Sequence, residues 1–394
     1  MSITSIDNEY VAHTYKRFPV EIVSGKGSIA VGSDGKEYID LGSGIGVTSF
    51  GMSDDVWKKA VTDQLDKVQH TSNLYYTEPC STLAEKLCKR TGMKKVFFSN
   101  SGAEANECAI KAARKYATEK KGEEYFTIIT LENSFHGRTL TTLAATGQEY
   151  FHKLFNPLTP GFVSVKPNDL DLLVRTAAEV KAAAIMIECV QGEGGVVPLD
   201  PEYVKGISAF AEENDVILIV DEVQTGNGRT GKLYSYMNFG ITPDVVSTAK
   251  GLAGGLPIGA TMLGEKVKDI FAYGDHGSTF GGNPISCAAA NSVIDRIDDA
   301  LLAEVNEKSK FVFDSLTGAK GIESVSGLGL MIGIKTARPA AEVVVECIQK
   351  GVLCLTAKDK VRLLPSLNIP FDVLEKAVGI IKEIAAKECE RHGA

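Results

Sequence analysis

Residues 201–222 read PEYVKGISAFAEENDVILIVDE. The first part spaces its apolar residues at helical intervals. The second, VILIVDE (216–222), is apolar on both faces and ends in two acids. A strand with no polar face is covered on both sides, which places it in a mostly parallel sheet under helices. The same alternation extends in both directions. KKVFFSN (94–100), YFTIITLEN (125–133), AAAIMIE (182–188), PDVVSTA (243–249) and IGATMLG (258–264) read as strands. SGAEANECAIKAARKYATEKKG (101–122) and LDLLVRTAAEVK (170–181) read as helices between them. The fold class is α/β.

Outside this block the pattern changes. IAV and EYIDL flank an SDG turn and predict a hairpin (29–41). From Asn283 the spacing predicts one long helix to Gly318. Helix 340–351, a strand pair over 352–366 and a last helix over 372–392 follow. The expected organisation is a large domain over 53–282 and a smaller α+β domain over 283–394. The arm and hairpin of 1–52 would join the smaller domain.

Composition narrows function. Net charge is −8, and a general nucleic-acid binder would need a basic face. No apolar run approaches the roughly 20 residues of a membrane helix, and no secretory signal opens the chain. The 8 cysteines are scattered without a C-x-x-C pair, as reduced buried thiols are. A cytoplasmic protein without nucleic-acid or membrane partners is expected.

In an open parallel sheet, ligands sit beyond the carboxyl ends of the strands. After VFFSN come Ser101, Gly102, Ala103 and Glu104, opening a helix. Such an N-terminus caps itself or cradles an anion. Asp221 ends VILIVDE. It can cap a turn, act as a base, hold an ion or pair with a protonated ring nitrogen. Lys250 ends DVVSTA, where a lysine either snorkels out or, desolvated, becomes a nucleophile. Phe135 and Arg138 follow a further strand, an aromatic plate and a carboxylate fork. His136 has no second histidine at ligand spacing, so no metal is read here. Anion cradle, plate, acid and lysine together match one cofactor, pyridoxal phosphate.

The blocks TYKRFPVEIVSGKGS (14–28), SNSGAEANE (99–107), SFHGRT (134–139), ECVQGEGGV (188–196), VDEVQTGNGRTG (220–231), AKGLAGGLPIGA (249–260), HGSTFGGNP (276–284) and VRLLPSL (361–367) carry a resemblance over essentially the whole chain. The sequence resembles the class III, or ω-amino-acid, pyridoxal-phosphate aminotransferases of fold type I. It is most similar to the acetylornithine aminotransferases among them. The resemblance implies that Lys250 bonds the cofactor covalently and that Asp221 pairs with its ring nitrogen. It implies that Val223 and Phe135 sandwich the ring and that Gln224 reaches its hydroxyl. Ser101, Gly102 and Ala103 are implied to hold the phosphate. Ser278 and Thr279 join the cofactor set, Thr279 toward the phosphate of a neighbouring subunit in a homodimer with shared sites. Arg138 is implied to bind a distal carboxylate and Arg362 an α-carboxylate. Glu193 would be the switchable partner of Arg362, and Tyr15 would lie near the substrate. The implied substrates are an acylated ornithine and 2-oxoglutarate. Ornithine, 4-aminobutyrate and acyl-lysine transamination are the near alternatives, and an aminomutase of the glutamate-1-semialdehyde type is the distant one. Ile45 stands where ornithine aminotransferases carry tyrosine, which leans away from free ornithine.

Overall fold

The apolar runs assemble into a seven-stranded sheet. In the computed structural model, which describes residues 2–387, its order is Lys95–Ser99, Gly259–Leu263, Val245–Thr248, Ile217–Asp221, Ala182–Ile187, Thr127–Leu131, Phe162–Val165. Gly259–Leu263 runs antiparallel to both of its neighbours. The remaining neighbours pair in parallel. Every residue of Ala182–Ile187, Ile217–Asp221 and Val245–Thr248 is buried, as strands covered on both faces must be.

The covering helices explain themselves locally. Gly102–Lys120 turns Ala105, Cys108, Ala109, Ala112 and Ala113 inward, and these small side chains let it lie close on the sheet. Pro201–Glu213 starts at Asp200, whose carboxylate accepts the N–H groups of Glu202 and Tyr203, with proline in the first turn.

Two four-stranded sheets flank this unit. Ile22–Lys26, Ile29–Gly32 and Glu37–Asp40 form a meander, and Val352–Leu353 pairs in parallel with its last strand. Segments from the two halves of the chain thus share a sheet. Ile322–Leu328, Met331–Thr336, Lys360–Leu363 and Leu355–Ala357 form the other.

Some details differ from the sequence reading. The long helix is two, Pro284–Ile294 and Asp299–Leu316. Asp298 breaks it, because its carboxylate accepts the Leu301 N–H at 2.8 Å and caps a new helix instead of continuing the old one. Phe162–Val165 is an edge strand that the reading passed over, being short and only partly buried. The N-terminal arm holds a helix, Ile3–Tyr10, with no buried residue; the Thr4 N–H and hydroxyl donate to Glu21 at 2.8 Å. The end of the last predicted helix, with Cys389, lies outside the described residues. No described helix is long and apolar enough to cross a membrane.

Candidate active site

Five strand exits converge on one cavity of about 550 Å³. Lys95–Ser99 leads into Ser101, the cap of helix Gly102–Lys120, whose hydroxyl accepts the Glu104 N–H at 3.2 Å. The backbone here closes on Val223. A Cβ on Gly102 would lie 2.6 Å from a Val223 methyl, so this position needs glycine. The helix N-terminus, with its positive dipole end, therefore borders the cavity.

Ile217–Asp221 delivers Asp221, which is buried. Its Oδ2 accepts from Asn106 Nδ2 at 2.7 Å and lies 2.8 Å from His136 Nδ1. Its Oδ1 accepts the Val223 N–H at 2.9 Å. Burial pulls His136 toward the neutral form. The bond to Asp221 and its charge outweigh that and hold His136 above its usual value. A carboxylate fixed by these donors cannot swing away from the cavity.

Val245–Thr248 delivers Lys250. Its φ is +44°, a left-handed conformation that costs a non-glycine residue roughly 1–2 kcal/mol. Burial lowers its pKa, and the charges of Glu193 and Asp221 work against that lowering. Its Nζ makes no hydrogen bond among the described residues. Such an amine is nucleophilic and free to move.

Phe135 and Arg138 follow strand Thr127–Leu131. The Arg138 guanidinium lies 5.3 Å from the Phe135 ring centre and 4.2 Å from that of Phe151. The two rings meet edge to face at 6.0 Å. Arg138 is exposed toward the cavity mouth, its fork stacked and, among the described residues, paired with no carboxylate.

On the opposite side Arg362, from strand Lys360–Leu363, pairs with Glu193 at 2.5 Å. Gln224 bridges them, accepting from Arg362 Nη1 at 3.2 Å and donating to Glu193 Oε1 at 3.1 Å. Arg362 Nε is buried without a hydrogen-bond partner among the described residues. Burial alone would raise Glu193, but the charge and bond of Arg362 win and hold it below its usual value.

Tyr15, Ser101, Gly102, Ala103, Phe135, Arg138, Asp221, Val223, Gln224 and Lys250 all line this cavity. Glu193 and Arg362 stand behind Gln224. Ser278 and Thr279 do not line it. They lie in an adjoining cleft, where Ser278 Oγ accepts from Asn100 Nδ2 at 3.1 Å and from the Gly281 N–H at 2.9 Å. A larger cleft of about 880 Å³, between Glu132 and Lys358, contains none of the predicted site residues.

The sequence reading missed Asn106, and it saw His136 only as a rejected metal ligand. It also missed Glu188, which lines the cavity. Glu188 follows strand Ala182–Ile187 directly, and the strand-exit signal that selected Asp221 was available for it. Asn106 carried no such signal, being one turn into a helix.

The family model described as "Aminotransferase class-III" matches residues 10–385. The acetylornithine aminotransferase of Haemophilus ducreyi is 49% identical over 387 residues, 98% of each chain. That of Clostridium acetobutylicum is 43% identical, covering 96% of this chain and 99% of its own. Among solved structures, N-acetylornithine aminotransferase from Stenotrophomonas maltophilia superimposes with a TM-score of 0.84 at 32% identity, over 98% of each chain. Ornithine aminotransferase from Toxoplasma gondii gives 0.93 at 30% identity, over 97% of this chain and 94% of its own. A second structure of that protein, described with pyridoxal phosphate at its active site, gives 0.92 at 29% identity, over 97% and 93%. The chain belongs to the class III aminotransferases, which are pyridoxal-phosphate enzymes.

Proposed function

We propose that this class III aminotransferase takes the terminal amine of an N-acylated ornithine, acetyl or succinyl, and passes it to 2-oxoglutarate. The observation that carries the reading is the pair of anion holders around Lys250: Arg138 at the cavity mouth, and Arg362 covered by Glu193. The full-length similarity to acetylornithine aminotransferases supports it.

The residues fit the cofactor. The Ser101–Ala103 turn offers N–H groups to a phosphate, Phe135 and Val223 are the walls for a ring, and Asp221 is fixed by three donors with room to face a ring nitrogen. When bound, pyridoxal phosphate supplies an aldehyde for amines and a ring that accepts electrons. Asp221 would keep a proton on its ring nitrogen. Lys250 would hold it, and once freed by the substrate amine would take the proton from the substrate's amine-bearing carbon. Phe135 and Val223 would keep water off the ring faces.

The arginines solve a two-substrate problem. An acylated ornithine reacts at a terminal amine with no carboxylate beside it. Arg362 would then be an uncompensated buried charge, and Glu193 covers it. The α-carboxylate of glutamate or 2-oxoglutarate displaces Glu193, while Arg138 holds the distal carboxylate bidentately.

A homodimer belongs to the same proposal. Ser278 and Thr279 lie off the Lys250 cavity, and Tyr75, Tyr76 and Phe280 beside them are all more than half exposed. Large apolar side chains left in water mark an interface. On this reading Thr279 completes the partner's phosphate site.

The test is turnover of N-acetylornithine, N-succinylornithine, ornithine, 4-aminobutyrate and an acyl-lysine with 2-oxoglutarate, by glutamate formation. An acylated ornithine should lead in kcat/KM. Preference for another amine moves the substrate, and isomerisation of one substrate without 2-oxoglutarate sinks the transaminase reading.

A further inference from the structure

Glu188 is 5% exposed and stands between two loops. Its Oε2 accepts the Phe135 N–H at 2.9 Å, and its Oε1 accepts the Gly192 N–H at 3.4 Å. The first loop carries Phe135 and Arg138. The second carries Glu193.

The loops also meet directly. A Cβ on Gly194 would lie 2.7 Å from the Asn133 carbonyl oxygen, and one on Gly192 would lie 2.3 Å from Gln224 Oε1. Gly192 is therefore seated on the amide that bonds both Glu193 and Arg362. A third tie closes the circuit: Lys358 Nζ donates to Asn133 Oδ1. Lys358 lies in the turn between Leu355–Ala357 and Lys360–Leu363, the strand of Arg362.

We infer that Glu188 is a positioning residue that sets dicarboxylate length, by fixing the loop of Arg138 against the loop of Glu193 and Arg362. This rests on the two-anchor reading above. A diacid held at both ends feels the distance between its anchors, and only a carboxylate offers one acceptor oxygen to each loop. Glutamine has the same shape but one acceptor, and its amide would face the other N–H. Glu188→Gln thus breaks one tie without changing side-chain size.

The experiment measures equilibrium binding of succinate, glutarate and adipate to the holoenzyme, with kcat/KM for oxaloacetate, 2-oxoglutarate and 2-oxoadipate alongside. The wild type should prefer the five-carbon acids. In Glu188→Gln that preference should fall about tenfold, because displacements under 1 Å are felt strongly at a reacting geometry. Lys358→Ala, at an exposed position, should shift the ratio in the same direction. A folded Glu188→Gln with the wild-type ratio overturns the inference. If that variant does not fold, an unchanged ratio in Lys358→Ala overturns it. A wild type with no 2-oxoglutarate turnover sinks the underlying reading instead.

Discussion

Removing Glu193 tests the switch. In Glu193→Ala, Arg362 keeps the Gln224 oxygen at 3.2 Å but loses the carboxylate at 2.5 Å. Breaking a fully buried pair costs about 3–5 kcal/mol. Here Arg362 is 4% exposed and Glu193 31%, so water screens one side and the cost falls to about 1–3 kcal/mol. A substrate with an α-carboxylate restores the missing partner, and one without does not. The preference for glutamate over the ω-amine should therefore rise about 5- to 150-fold. Rapid-mixing single turnovers of the two half-reactions, followed in the cofactor's visible absorbance, give the ratio directly. Glu193→Gln, which keeps the size and loses the charge, should fall between wild type and alanine. If the two half-reaction rates change in parallel, Glu193 is not a switch.

Three further outcomes are expected. Lys250→Ala should abolish steady-state turnover while the chain melts cooperatively; substantial remaining activity would remove the centre of the mechanism. Gly102→Ala should loosen the phosphate end of the cavity and destabilise by about 1–3 kcal/mol, since its Cβ would sit 2.6 Å from Val223; unchanged stability and cofactor affinity would contradict that packing. Burial pushes Glu188 up from 4.5 to about 7, with Asp221 adding to the rise and His136 opposing it. The folded chain then binds an extra proton between those values, so this group's contribution to stability falls as pH rises through that window and stays lost above it. Glu188→Gln should therefore show a flatter denaturation profile from pH 4.5 to 8. Parallel profiles would place the Glu188 proton elsewhere.

Much of this molecule is local information. A strand covered on both faces must be apolar throughout, so VILIVDE and AAAIMIE declare themselves without reference to anything distant. Where such a run ends, the first charged side chain stands at the sheet's carboxyl edge, and that rule found Asp221 and Lys250. What surrounds Asp221 was not local. Asn106 is 115 residues away and His136 85, and they meet it through strand order and the helix laid across it. Glu188 met the local rule, yet its two backbone partners appear only when both loops are in place. The break at Asp298 was a contest between two locally sound options, settled by a capping bond. Sequence determined which residues stand at the ends of strands, because burial dictates side-chain type residue by residue. Tertiary structure alone decided which of them touch, because contact across the sheet depends on the order in which distant segments pair.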